Sequence, residues 1–151
     1  MSVFADSTTI LYPLDPTEVD KGRICETWLR MVRPSGTLVL AMQVLNEVHS
    51  AVWRKPVFNL ARAGLRDHLR AYHPFCTAPP QTPVIQEQAW ALQDRYGVQF
   101  WDALLLASAN AANCRWFLSE DLNDGQVYGG VTAINPFRHK PEDVLGRPLP
   151  R

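Results

Sequence analysis

Short apolar runs alternate along this chain with longer stretches in which apolar residues recur every three or four positions. The short runs predict strands, and they lie at residues 3–5, 37–40, 74–77, 115–118 and 131–134. The longer stretches predict helices over about 16–33, 44–55, 59–71, 83–96 and 102–112. Strands that alternate with helices favour an α/β fold with a central, mostly parallel sheet.

The most explicit helix start is at Asp15, which can cap a helix whose first position is Pro16. Glu18 can complete a capping box at the same place. The inner face of this helix is predicted to carry apolar residues that recur every fourth position: Ile24, Trp28 and Val32.

Length and composition narrow the class of protein. A chain of 151 residues is one ordinary domain, and its 46% hydrophobic content can fill a core. The charges of the 15 basic and 15 acidic residues cancel. The net charge therefore does not indicate nucleic acid as a partner. The three cysteines form no CxxC pair, which argues against a disulfide framework or a zinc site. With no signal peptide and no apolar run near the roughly 18 residues of a membrane span, we expect a cytoplasmic protein.

Four acidic residues lie where the predicted elements meet. Asp6 ends the first strand, and Asp121 follows the strand at 115–118. Asp102 is expected in the first turn of a helix, and Glu47 about one turn into the helix after the second strand. In open parallel sheets, ligands bind beyond the carboxyl ends of the strands. All four carboxylates are therefore expected to reach the same edge of the sheet.

Five segments carry motifs in a particular order along the chain: Asp6–Tyr12, Gln43–Glu47, Phe100–Leu105, Leu118–Gln126 and Asn135–Phe137. The first opens with an acid before a hydrophobic pair and Tyr, the third holds Trp-Asp-Ala, and the fourth holds Ser-x-Asp. Together they resemble the motifs of PIN-domain ribonucleases of the VapC toxin type, over nearly the whole chain.

The resemblance implies a PIN-like, three-layer α/β/α sandwich with about five parallel strands over residues 1–137. The Pro and charged residues of 138–151 suit a C-terminal surface tail. The resemblance also implies hydrolysis of RNA phosphodiester bonds with Mg²⁺ or Mn²⁺ held by four acids: Asp6, Glu47, Asp102 and Asp121. Asp6 and Asp102 would be direct ligands, whereas Glu47 would complete the shell and Asp121 would hold a second ion or orient water. Typical partners of such toxins are RNA, a small antitoxin and a second copy of the chain.

Three further residues would support the acids. Ser119 can hydrogen-bond a carboxylate or a phosphate, and Asp124 is a nearby reserve acid. Thr8 stands where the family usually has Asn, and can replace that side chain only in part. A second departure is Ala41, where a small hydroxyl residue is usual, and the lost cap typically costs about 1 kcal/mol. Neither change removes a predicted metal ligand.

A basic stripe is predicted on the helix at 59–71, where Arg62, Arg66 and Arg70 recur every fourth residue. Most such stripes are solvated faces, but in a nuclease this one would contact the phosphate backbone or face an antitoxin. The tryptophans divide into two groups. Trp90 and Trp116 are expected in the core, whereas Trp53 is a candidate for exposure and for stacking on a base.

Two other functions stay open at this point. The first is a catalytically inactive PIN fold that acts as an RNA- or protein-binding module. The second is a phosphatase with an aspartyl nucleophile after the first strand, but that chemistry needs a second acid two residues later, where this chain has Thr8. No GxxxxGK[ST] or GxGxxG loop is present, which argues against a nucleotide-binding enzyme.

Overall fold

A five-stranded sheet forms the centre of the protein. The computed structural model describes residues 1–146, and within them the strands are β1 (Val3–Ala5), β2 (Leu38–Val39), β3 (Trp116–Leu118), β4 (Val127–Tyr128) and β5 (Val131–Ile134). Their order across the sheet is β2-β1-β3-β5-β4. β1 is parallel to β2 and β3, β3 is parallel to β5, and β4 is antiparallel at one edge. The predicted α/β fold with a mostly parallel sheet is confirmed.

Eight helices accompany this sheet in the described part of the chain. They are α1 (Ser7–Leu11), α2 (Val19–Val32), α3 (Met42–Arg54), α4 (Asn59–Arg62), α5 (Leu65–Arg70), α6 (Pro83–Tyr96), α7 (Phe100–Ala111) and α8 (Pro141–Leu145). The arrangement is compatible with a three-layer sandwich. Among these helices, none combines the length and the apolar character that crossing a membrane requires.

The central strands are buried on both faces. Val3, Phe4 and Ala5 of β1 are fully inaccessible to solvent, and the Phe4 ring stacks on Phe117 of β3 at 5.1 Å between centroids. Continuous burial of this kind is typical of a parallel strand covered by helices on each side. It also fixes the position of the residues that directly follow β1 and β3.

The ends of α6 confirm the sequence prediction. The Thr82 hydroxyl accepts a hydrogen bond from the Ile85 backbone N–H, and Pro83 occupies the first helical position. At the other end Gly97 adopts a left-handed conformation, with φ of 67°. Glycine is favoured there because it has no Cβ to clash.

The predicted start of α2 at Asp15 is wrong. The helix begins at Val19, and the Asp15 carboxylate instead accepts hydrogen bonds from the backbone N–H and the hydroxyl of Thr17. Asp15 also closes a short 3₁₀ turn at Tyr12–Leu14. The same local hydrogen bonding that makes Asp a good cap has stabilised a turn before the helix.

Gly22 brings α2 unusually close to that turn. A Cβ on residue 22 would lie 2.8 Å from the backbone oxygen of Tyr12, which is closer than a side chain tolerates. Only glycine therefore allows α2 to pack against the backbone that follows α1.

Two predicted core residues are exposed. Ile24 is 37% exposed, because the buried face of α2 is centred on Cys25, Trp28 and Leu29. Trp90 is 43% exposed, because α6 turns its neighbour Ala89 towards α7. In both cases the residue next to the predicted one is buried instead. A step of one residue turns the side chain by about 100° around the helix axis.

Two segments differ from the predicted elements. Residues 74–77 form no strand; a 3₁₀ turn at His73–Phe75 takes their place, although the Leu40 N–H still donates to the Phe75 oxygen at 2.8 Å. The helix expected over 59–71 is divided at Gly64 into α4 and α5. The antiparallel β4 was not predicted.

Within the segment expected as a surface tail from Arg138, the structure describes a helix. α8 forms there, with Pro141 and Leu145 buried, and it packs against α2. Trp28 is buried close by, and its indole N–H donates to the Pro136 oxygen at 3.1 Å. The end of the expected tail, residues 147–151, lies outside the described residues.

Candidate functional site

A cleft of about 860 Å³ lies beyond the carboxyl ends of the central strands. Ser7, Ala41 and Asp121 line it, and these residues follow β1, β2 and β3 respectively. The helices α3 and α7 and the segment at 78–81 provide the other walls. This is the edge of the sheet where the sequence places the acidic residues.

Three of the four predicted ligands line this cleft. They are Glu47 from α3, Asp102 from the first turn of α7, and Asp121 from the loop after β3. Burial raises the pKa of Asp102, and the negative charges of Asp121 and Glu47 raise it further. The Asp102 carboxylate is therefore near enough to Asp121 and Glu47 to be repelled by both.

Gln43 holds Glu47 in place. Its side-chain amide donates to the Glu47 carboxylate at 2.6 Å, one helical turn away, and to the Trp101 backbone oxygen at 3.3 Å. Gln81 donates to the Gln43 amide oxygen. Gln43 thus connects α3 to the start of α7. Its spacing of one helical turn could have indicated the contact with Glu47, but not the contact with Trp101.

Asp6 is buried and caps α1. One of its carboxylate oxygens accepts from the Thr9 backbone N–H at 3.1 Å, the Thr9 hydroxyl at 3.0 Å and the Thr8 hydroxyl at 2.9 Å. Burial raises the pKa of Asp6 to about 6, although hydrogen bonds from Thr8, Thr9 and Ser119 oppose this shift. Asp6 is not among the residues that line the cleft.

Ser119 connects Asp6 to the cleft. The buried Ser119 hydroxyl accepts from the Asp121 backbone N–H at 3.2 Å, and it lies near enough to the Asp6 carboxylate to oppose the rise in the pKa of Asp6. Since Asp121 lines the cleft, Ser119 neighbours both of the acids that follow β1 and β3. The supporting positions assigned to Ser119 and Thr8 are thus in contact with Asp6.

Two nearby acids are engaged elsewhere. Asp124 accepts from the Asn135 backbone N–H at 2.8 Å and pairs with His139 at 2.7 Å. Burial alone would raise the pKa of Asp124, but these hydrogen bonds hold it below its usual range. Glu120 accepts from the Tyr12 hydroxyl and pairs with Lys21 at 3.0 Å. Neither Asp124 nor Glu120 lines the cleft.

The acids do not form a preassembled metal shell. Within residues 1–146, no three His, Cys, Asp or Glu side chains are gathered closely enough to hold a metal ion together. Three of the four predicted ligands share the cleft, and Asp6 reaches it through Ser119. The donors are carboxylate oxygens, which suit hard divalent cations.

Comparison with known proteins assigns no family to this chain. No protein-family model matches it. No curated protein matches it either.

Proposed function

We propose that this protein is a metal-dependent endoribonuclease of the PIN-domain family, VapC toxin type, which hydrolyses RNA phosphodiester bonds. One observation carries the proposal: Glu47, Asp102 and Asp121 line a single cleft, and Asp102 lies within range of the negative charges of the other two. A divalent cation relieves such repulsion. The ordered sequence motifs and the mostly parallel five-stranded sheet, taken as a PIN-like three-layer sandwich, give further support.

The residues of the cleft fit Mg²⁺ or Mn²⁺ by their chemistry. Mg²⁺ keeps several waters and commonly takes only one or two protein carboxylates, so a shell of three direct ligands is not required. Asp102 and Asp121 would hold the ion, with Glu47 completing the site. When bound, the ion would polarise a phosphoryl oxygen and lower the pKa of a bound water.

The protein's own side chains orient these acids. Gln43 fixes the Glu47 carboxylate against α7, and Ser119 fixes the backbone of Asp121. Asp6 is a positioning residue, because it contacts Ser119 and does not line the cleft.

The test is cleavage of mixed transfer and messenger RNA by metal-stripped protein, with and without added Mg²⁺ or Mn²⁺. Asp102→Asn and Asp121→Asn keep the side-chain shape and remove the charge. Asp20→Asn is the matched control, since that side chain is 95% exposed on α2. We expect cleavage to require metal, to be lost in the two cleft variants and to persist in the control. Cleavage that is equal in all the proteins would contradict the proposal.

The proposal includes the biological setting that the resemblance implies. The protein acts in the cytoplasm as a homodimeric toxin, and a small antitoxin inhibits it by covering the cleft. Met42 and Trp101 support a protein partner there, because they line the cleft and are 50% and 55% exposed. Expression in bacteria should arrest growth, and Asp102→Asn should relieve the arrest. Sedimentation of the purified protein tests the dimer.

The second candidate is a catalytically inactive PIN fold that binds RNA or protein. The absence of a preassembled metal shell among the described residues favours it. A folded protein that binds RNA but cleaves none under either metal would establish this function instead.

A further inference from the structure

The acidic cleft continues along α3 to a basic end. Glu47, Ser50 and Arg54 all line it, and Arg54 is the last residue of the helix. Arg54 lies seven positions after Glu47, which is about 10 Å along a helix axis. Arg54 is exposed, and its Nε donates to the Ser50 backbone oxygen at 3.2 Å. In the described part of the chain it has no carboxylate partner.

Two more arginines meet at the residue before Arg54. The guanidinium carbons of Arg62 and Arg66 lie 5.5 and 5.9 Å from the centre of the Trp53 ring. Arg62 also donates to the backbone oxygens of Val52 and Trp53, which holds its side chain against the end of α3. No ion pair involves Arg62 or Arg66 within residues 1–146. Trp53, Arg62 and Arg66 line a separate small depression, and only Arg54 among these residues lines the cleft itself. We call the four residues, which meet at the C-terminal end of α3, the basic end of the cleft.

The predicted arginine stripe is therefore only partly a charged surface. Arg70 lines the same small depression as Trp53 and Arg66, but its guanidinium pairs with Asp67 at 2.5 Å. The break at Gly64 separates the helices that carry Arg62 and Arg66, yet both reach the same ring. Unpaired positive charge is thus concentrated at Arg54, Arg62 and Arg66.

We propose that the basic end of the cleft is a docking surface for single-stranded RNA, which leads the strand along α3 to the acids. This inference rests on the proposed function, which makes RNA the substrate. A planar guanidinium matches the geometry of a phosphate, and the Trp53 ring favours the orientations in which Arg62 and Arg66 lie over it. Trp53 is 54% exposed and stacks on His49, so the surface also offers aromatic contact to unpaired bases.

The chemistry favours a single strand over a duplex or an acidic peptide. Duplex bases already stack on one another and cannot use an exposed tryptophan, whereas unpaired bases can. Arg54 links the surface to a cleft whose proposed chemistry acts on phosphodiesters, because it lines that cleft and directly follows Trp53 on α3. An acidic peptide would satisfy the arginines but has no need of the aromatic ring or of the acids farther along α3.

The test measures binding of a fluorescent single-stranded RNA in EDTA, where metal-dependent cleavage cannot occur. Arg66→Gln removes an exposed side chain that has no hydrogen bond or ion pair among the described residues, so the fold is at little risk. Arg54→Gln is combined with it. Arg23→Gln on α2 is the control, since its side chain is 74% exposed and far along the chain from the basic end. Circular dichroism checks that each variant is folded.

We expect the double variant to bind RNA roughly tenfold more weakly, while the control binds as the wild type does. Loss of two phosphate contacts should also reduce the salt slope of binding by about 1.4. Trp53→Leu should weaken binding by roughly 5- to 100-fold. RNA binding that is unchanged in the double variant overturns the proposal.

A second probe separates RNA from protein. If a poly-glutamate peptide binds as tightly as RNA and loses affinity equally in the double variant, the surface is a protein-docking site and the inference is wrong. The proposed function and this inference can be refuted separately. RNA binding that depends on Arg54 and Arg66, with no metal-dependent cleavage, would refute the nuclease and leave the docking surface in place.

Discussion

The side chains of Gln43 and Glu47, one turn apart on α3, are joined by a hydrogen bond of 2.6 Å. Because Gln43 also donates to the Trp101 backbone oxygen, the contact fixes the angle at which Glu47 enters the cleft. The candidate site is therefore organised by a neutral residue as well as by its acids.

Replacing Gln43 should loosen Glu47. We expect Gln43→Ala to lose about 1 kcal/mol of unfolding free energy, the usual net contribution of a hydrogen bond, and to need more Mg²⁺ for half-maximal cleavage. Urea unfolding and a metal titration of RNA cleavage measure the two effects. Gln86→Ala, at an exposed position of α6, is the control and should change neither. If Gln43→Ala needs no more Mg²⁺ than the wild type, Gln43 does not position Glu47 for metal binding.

Asp6 should destabilise the metal-free protein at neutral pH. Its pKa is about 6 in the folded state and 3.8 ordinarily, so the folded protein binds the proton more tightly. The stability associated with this group is fully present below pH 3.8 and is lost as the pH rises through about 6. Asp6→Asn keeps an oxygen acceptor for Thr9 and removes the charge.

We therefore expect Asp6→Asn to be more stable than the wild type at pH 7.5 by up to about 3 kcal/mol, the equivalent of two pKa units. The difference should disappear near pH 4. Thermal unfolding in EDTA at the two pH values measures it. A variant that is less stable at pH 7.5 would show that the charge itself holds the fold together.

Asp124 should show the opposite dependence on pH. Its pKa is held below the ordinary value by Asn135 and His139, so its contribution to stability is present at neutral pH and lost in acid. We expect Asp124→Asn to lower the unfolding free energy by about 1–2 kcal/mol at pH 7, with a smaller loss in acid. RNA cleavage should persist, because Asp124 lies outside the cleft. Loss of cleavage in a variant of unchanged stability would return Asp124 to the candidate site.

Divalent cations should stabilise the folded protein by mass action. A ligand that binds only the folded state at 100 times its Kd adds about 2.7 kcal/mol. We expect Mn²⁺ to raise the Tm of the wild type and to have little effect on Asp102→Asn. Ca²⁺ serves as a comparison for the size of the ion. An equal rise in both proteins would place the bound cation elsewhere.

Local signals explain what the sequence could predict. Asp102 was placed correctly in the first turn of a helix, and Asp121 correctly after a strand, because both positions depend on neighbouring residues. The antiparallel β4 had such a signal too: Gly129 and Gly130 form the two-residue turn to β5, with φ of 69° at Gly129. That hairpin could have been predicted from the paired glycines.

Tertiary contacts explain what the sequence could not predict. Nothing near Ser119 in the chain indicates that its hydroxyl meets Asp6, more than a hundred residues away. The burial that raises the pKa of Asp6 likewise comes from the packed sheet. The convergence of Arg62 and Arg66 on Trp53 brings together side chains from α4, α5 and the end of α3, and the regular spacing of the arginines does not reveal that contact.

The close packing at Gly22 has a mechanical consequence for the cleft. With 2.8 Å between a Cβ at that position and the Tyr12 oxygen, the turn after α1 has little room to shift towards α2. Ser7 lines the cleft at the start of α1, so this contact at the other end of α1 limits how far that side of the cleft can move. Alanine at residue 22 would push on the turn, and through α1 it would disturb the cleft without contacting it.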